Sequence, residues 1–247
     1  MPAFEHAVSL GYRWLETDVH VTADGVVVAF HDDRLDRVTD RRGRIIDLTI
    51  DEVRQADAGY WFTVDGGETY PFRGRGVTVP LLEELLTRWP DVCVNIDAKA
   101  SPTIVPLMRL LHRLDALSRV CLASFSDRRV QRMRTLARGP VRSSMGWLAA
   151  TTAFACSRAG RMPRLGAVRI QVPMRAGSLH IDRRFVDAAH RAGMAVDVWT
   201  INTPDDMQAA LDLGVDGLMS DRLQVLKSVL VARGGWENQG AMSDGSG

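Results

Sequence analysis

Short apolar runs alternate with longer stretches of helical period along most of this chain. Runs rich in β-prone residues fall at 14–19 (WLETDV), 92–97 (VCVNID), 119–124 (RVCLAS), 141–145 (VRSSM), 167–172 (AVRIQV), 195–200 (AVDVWT) and 215–220 (VDGLMS). They predict strands, and because nearly all are followed by a helical pattern the order predicts an α/β fold with a parallel sheet. Helix punctuation agrees. Thr203 and Pro204 before DDMQAALDLG supply a cap, a proline at the first helical position, first-turn acids and a closing Gly214. DRRFVDAAHRAG from Asp182 has the same grammar, and so does SDRRVQRMRTLARG from Ser126, with Val130, Met133 and Leu136 as its apolar side. The opening helix runs from Pro2 to a stop at Gly11, with nothing in front of Pro2 to cap it.

Two stretches depart from this alternation. In VHVTADGVVVAFHDD (19–33) two β-prone arms flank Ala23-Asp24-Gly25, which predicts a hairpin. A fold-back centred near Asp24 sets residue 18 opposite roughly residue 30, and so returns His31 to the level of Glu16 and Asp18. The connection from about 32 to 80, rich in Arg, Asp, Gly and aromatics, is too long for an ordinary βα loop and reads as an insertion. The expected organisation is one domain over 1–233 followed by a tail, 234–247 (GGWENQGAMSDGSG), with too little apolar content to pack and expected to be disordered.

Composition narrows the function classes. The 247 residues are 46% hydrophobic and 25% charged, which suits an ordinary globular core. With 31 basic against 30 acidic side chains the net charge is +1, so no general field gathers nucleic acid or an anionic membrane. An acidic ligand must be met locally. Cys93, Cys121 and Cys156 are too few and too far apart for a disulfide framework or a zinc site, and read as core thiols. No apolar stretch approaches the ~20 residues that span a bilayer, and the start lacks the regions of a signal peptide. A cytoplasmic location is the expectation.

Glu16 and Asp18 alternate on one face near the carboxyl end of their strand, where α/β enzymes assemble sites. Such a pair is either a solvated strand end or half of a cation site. Asp97 ends another apolar strand and adds a third oxygen ligand of the kind Mg²⁺ or Ca²⁺ prefers. Lys99, two residues on, either neutralises these acids or meets a phosphate oxygen. His31, delivered to the acidic cluster by the hairpin, could move protons near neutral pH, although a lone histidine is as readily structural. Trp199, with Thr200 and Asn202 behind it, could cover the apolar face of a small polyol or simply close the end of the sheet.

The segments ETDVHVTADGVVVAFHDDRLDRVTDRRGRIIDLT, VTVPLLEELL, NIDAK, the Ser124-Phe125 step, VDVWTIN and VDGLMSDR, in that order, resemble the glycerophosphodiester phosphodiesterase family from about Pro2 to Leu230. The resemblance implies a TIM (β/α)8 barrel of the phospholipase C-like phosphodiesterase type. It implies metal-dependent hydrolysis of glycerophosphodiesters to sn-glycerol 3-phosphate and an alcohol. It puts the metal ligands on Glu16, Asp18 and Asp97, for Mg²⁺ or Ca²⁺, a catalytic histidine on His31, a phosphate contact on Lys99, and the glycerol pocket on Phe125 and Trp199. The family commonly carries glutamate at Asp97, so the shorter side chain would shift the ion or recruit a bridging water. Family members begin with a strand ending in His-Arg-Gly, then Glu-Asn-Thr, whereas MPAFEHAVSLGY resembles the family segment just after that threonine. The expectation is a barrel whose first strand, with a second catalytic histidine, is missing from this chain. Two further readings stay open: a relative that only binds metal or phosphate, and an enzyme of the same class with another substrate, for example one of phospholipase D-like or cyclic phosphodiesterase activity.

Overall fold

The computed structural model describes residues 1–163, 165–177 and 179–236. In chain order the elements are α1 (Pro2–Ser9), β1 (Trp14–Val21), β2 (Val27–Ala29), α2 (Ile50–Arg54), α3 (Leu82–Arg88), β3 (Cys93–Ala98), α4 (Ile104–Arg113), β4 (Val120–Ala123) and α5 (Asp127–Ala137). There follow β5 (Arg142–Ser143), α6 (Trp147–Ser157), β6 (Arg169–Pro173), β7 (Arg175–Ala176), β8 (Leu179–His180), α7 (Arg183–Arg191), β9 (Ala195–Trp199), α8 (Pro204–Asp212), β10 (Gly217–Leu218) and α9 (Leu223–Ala232). Each of the seven apolar runs contains a strand. The chain divides into two compact units, one holding residues 1–6, 14–120 and 132–141, the other 7–13, 121–131 and those from 142 onward.

In the first unit the strands lie in the order β2-β1-β3, with β2 antiparallel and β3 parallel to β1. The hairpin closes as its sequence requires. Gly25 takes φ +85°, a conformation that side chains oppose, and the Thr22 hydroxyl donates to Asp24 Oδ1 at 2.6 Å. Asp24 also accepts from the Ile50 backbone N–H at 3.1 Å, so the turn holds the start of α2. The connection after β2 has a small core of its own. Leu35, Ile45, Val53, Ala56 and Val79 are buried with Val28 of β2, flanked by Phe30, Leu48 and Leu81. Thr49 and Glu52 form a reciprocal capping box on α2.

In the second unit β4 runs parallel to β5, and β10-β9-β6 form a parallel sheet. α7 and α8 are capped by Asp182 and Thr203, whose side chains accept from the Phe185 and Asp206 backbones, and α7 buries Phe185, Val186, Ala188 and Ala189. Burial pushes the Cys121 thiol on β4 up to about 12, which keeps it an inert core group.

Most of the expected tail, 234–247, lies outside the described residues, but Trp236 packs edge-on to Tyr12 at 4.9 Å, with the Lys227 ammonium 4.9 Å from its ring. Lys227 in turn donates to the Leu10 carbonyl at 2.7 Å.

Candidate functional site

The parallel register of β1 and β3 sets Asp18 directly beside Asp97, and Glu16 beside Asn95. Alternate residues of a strand share a face, so the three acids and Lys99 project to one side. The Lys99 ammonium sits between the two aspartates, 2.7 Å from Asp18 Oδ1 and 3.0 Å from Asp97 Oδ2. Burial raises the pKa of Asp18, the hydrogen bond and charge of Lys99 offset part of that rise, and the Asp97 charge adds to it. Burial works against the Lys99 ammonium, yet the hydrogen bond to Asp18 and the two carboxylate charges overcome it and leave its pKa raised. Asp97 Oδ1 is buried with no hydrogen-bond partner among the described residues. Glu16, one pleat earlier on the same face, is exposed.

His31 arrives by the hairpin. Val19 pairs with Ala29, and the Phe30 backbone N–H donates to the Asp18 carbonyl at 2.9 Å, so residue 30 does return to residue 18. The His31 ring is 70% exposed, with Nδ1 2.6 Å from Asp32 Oδ1. Arg37 grips the same carboxylate with two bonds, Nε to Oδ2 at 2.6 Å and Nη2 to Oδ1 at 2.9 Å. The Arg37 hydrogen bond, aided by His31 against the effect of burial, holds the Asp32 carboxyl down at about 2. His20, buried on β1, has its pKa lowered by burial; its Nε2 lies 3.2 Å from the His31 carbonyl and fixes that stretch of backbone. His20, His31, Asp32, Arg34, Arg37 and Lys99 are among the residues lining an open cleft of ≈ 490 Å³.

The second unit carries the aromatic candidates. Phe125, just past β4, stands edge-on to Trp199 at the end of β9, with centroids 5.6 Å apart, and stacks on Trp147 at 6.2 Å. Phe125 and Trp147 are 48% and 46% exposed. Asp127 holds the start of α6 by accepting from the Leu148 and Ala149 backbones at 3.0 and 3.1 Å. A side chain at Gly146 would collide with Asp127, which is why glycine precedes the helix. Asn202 is structural: its amide donates to Asp221 Oδ2 at 3.0 Å, and its carbonyl accepts from Ser220 and the Asp221 backbone.

Sequence reasoning named Glu16, Asp18, His31, Asp97, Lys99, Phe125 and Trp199, and it missed His20, Asp32 with Arg37, and Trp147. Asp32 and Arg37 are five residues apart in an irregular loop, where no period flags a pair.

Residues 1–225 match the model of the Glycerophosphoryl diester phosphodiesterase family. The chain belongs to this family. A probable glycerophosphodiester phosphodiesterase 2 of Mycobacterium tuberculosis is 38% identical over 244 residues, covering 96% of this chain and 86% of its own. Among solved structures, the glycerophosphoryl diester phosphodiesterase domain of an uncharacterised M. tuberculosis protein superposes with a TM-score of 0.80 at 21% identity, covering 92% of this chain and 91% of that one. An Oleispira antarctica phosphodiesterase, solved in complex with the product sn-glycerol-3-phosphate, gives 0.73 at 21% identity over 93% and 89%. These superpositions show that the chain has the α/β fold of the TIM-barrel diesterases.

The diesterase family's divalent cation can be tested against the donor set. Among the described residues no three His, Cys, Asp or Glu side chains are arranged as an ion site. Two adjacent carboxylates already gathered around a cationic group, one with an orphaned buried oxygen, nevertheless have the hard-oxygen chemistry that such an ion needs. Asp18 and Asp97 fit it.

Proposed function

We propose that this chain hydrolyses glycerophosphodiesters to sn-glycerol 3-phosphate and an alcohol, with Mg²⁺ or Ca²⁺ held by Asp18 and Asp97 and joined by Glu16. The observation that carries the reading is the aspartate pair set side by side across β1 and β3 around a cationic group. Family membership supplies the reaction class. When bound, the ion would neutralise the phosphodiester and ease deprotonation of the attacking hydroxyl or water.

The protein's own groups then divide the work. Lys99, which lines the same cleft as His31, would meet a phosphate oxygen. His31 moves the proton, a role worth roughly 10² to 10⁴ in rate. Phe125 and Trp199 form an aromatic pair suited to the apolar face of glycerol.

The test is release of sn-glycerol 3-phosphate from glycerophosphocholine with Mg²⁺ or Ca²⁺ present. Chelation should abolish release, and His31→Ala should lower it by at least about 10²-fold. Ion-dependent stabilisation without any product would identify a protein that only binds, and turnover untouched by His31→Ala would remove His31 from the chemistry.

A further inference from the structure

The Asp32 carboxylate is gripped by a guanidinium on one side and touches the His31 ring on the other. Three facts define it. Arg37 engages both Asp32 oxygens through two different nitrogens, so the carboxylate plane is fixed relative to the guanidinium fork. Asp32 Oδ1 lies 2.6 Å from Nδ1 of His31, a short charge-assisted contact. The loop that presents Arg37 is anchored: Leu35 is buried in the insertion's core, its N–H donates to the Gly43 carbonyl at 3.0 Å, and its carbonyl accepts from the Thr39 hydroxyl at 2.9 Å.

An ionised carboxylate has lone pairs and no proton to give, so the proton in the contact must belong to histidine Nδ1. We infer that Asp32, clamped by Arg37, is a positioning residue that fixes His31 in the Nδ1–H tautomer and leaves Nε2 as the working nitrogen at the cleft. The Arg37 hydrogen bond keeps Asp32 ionised far below neutrality, so this restraint persists wherever the protein is folded at ordinary pH. In the neutral ring Nε2 then carries the lone pair that accepts the proton of an attacking hydroxyl. The imidazolium so formed keeps its Nδ1–H bond to a full negative charge. A ring 70% exposed would otherwise sample both tautomers and many orientations, and only one nitrogen can face the reaction. This inference rests on the proposed role of His31.

The test is ¹⁵N NMR of histidine-labelled protein at alkaline pH, with the His31 ring signals assigned by their loss in His31→Gln. The wild type should show the Nδ1–H tautomer, and the Nε2–H form should appear in Asp32→Asn, whose amide can donate as well as accept. Arg37→Gln, which leaves the carboxylate in place but unclamped, should fall between the two. In hydrolysis of glycerophosphocholine, Asp32→Asn should lower kcat by on the order of 10²-fold, the lower end of what a placed acid–base group supplies, with KM within about twofold. An Nε2–H ring in the wild type, or a tautomer ratio unmoved by Asp32→Asn, would overturn the inference whether or not the protein turns over substrate. Absence of turnover in the wild type would instead count against the proposed function and leave the tautomer result standing.

Discussion

Lys99 is the residue on which the two aspartates depend. Two carboxylates side by side and partly buried repel each other, and the ammonium between them offsets part of that cost. An ion held by the two aspartates would compete with the Lys99 ammonium for the same oxygens. Asp32 makes a separate, pH-dependent contribution. Its folded-state pKa, about 2, lies below the ordinary 3.8. The stabilisation is therefore fully present above about pH 4 and is lost as pH falls through the folded value. Urea denaturation at neutral pH and between about pH 4 and 3 should show the stability gap between wild type and Asp32→Asn narrowing as the solution is acidified. A constant gap would mean that the Arg37 clamp contributes nothing through ionisation.

At the level of elements, the hairpin and the insertion act together to place His31. Asp24 joins the turn to α2, the Ala23 N–H donates to the Leu48 carbonyl at 2.8 Å, and the Ile45 N–H donates to the Asp33 carbonyl at 2.9 Å, close to the histidine in the chain. Ile45 is fully buried in the insertion's core. Ile45→Ala should cost about 2–5 kcal/mol in denaturant unfolding and slow hydrolysis by loosening the segment around His31. Stability within a few tenths of wild type would show that this small core carries no weight. Much of this was legible beforehand for a definite reason. β-branched arms around Asp24-Gly25 set the register, and register alone returns residue 30 to residue 18. The insertion's core was not legible, because Leu35, Ile45, Val53, Ala56 and Val79 keep to neither a period of two nor one of 3.6. Trp147 was missed for a related reason: its stacking on Phe125 depends on the Asp127 anchor on α6, a tertiary bond that no local pattern announces. His20 escaped notice because its partner is a backbone carbonyl, which has no signature in sequence.

For the molecule as a whole, a net charge of +1 leaves capture of an anionic diester to the few charges within the site, and no described helix is long and apolar enough to cross a membrane. Family membership fixes the reaction class, while the side chains decide how this chain would perform it, and ion binding at Asp18 and Asp97 is the decisive point. Anomalous diffraction from crystals grown with Mn²⁺, a hard cation that carboxylates accept in place of Mg²⁺ or Ca²⁺, measures it directly. An anomalous peak ligated by Asp18 and Asp97, with the Lys99 ammonium displaced from both, is the expected result. A fully ordered Lys99 still bridging the two aspartates, with manganese absent or bound elsewhere, would contradict it.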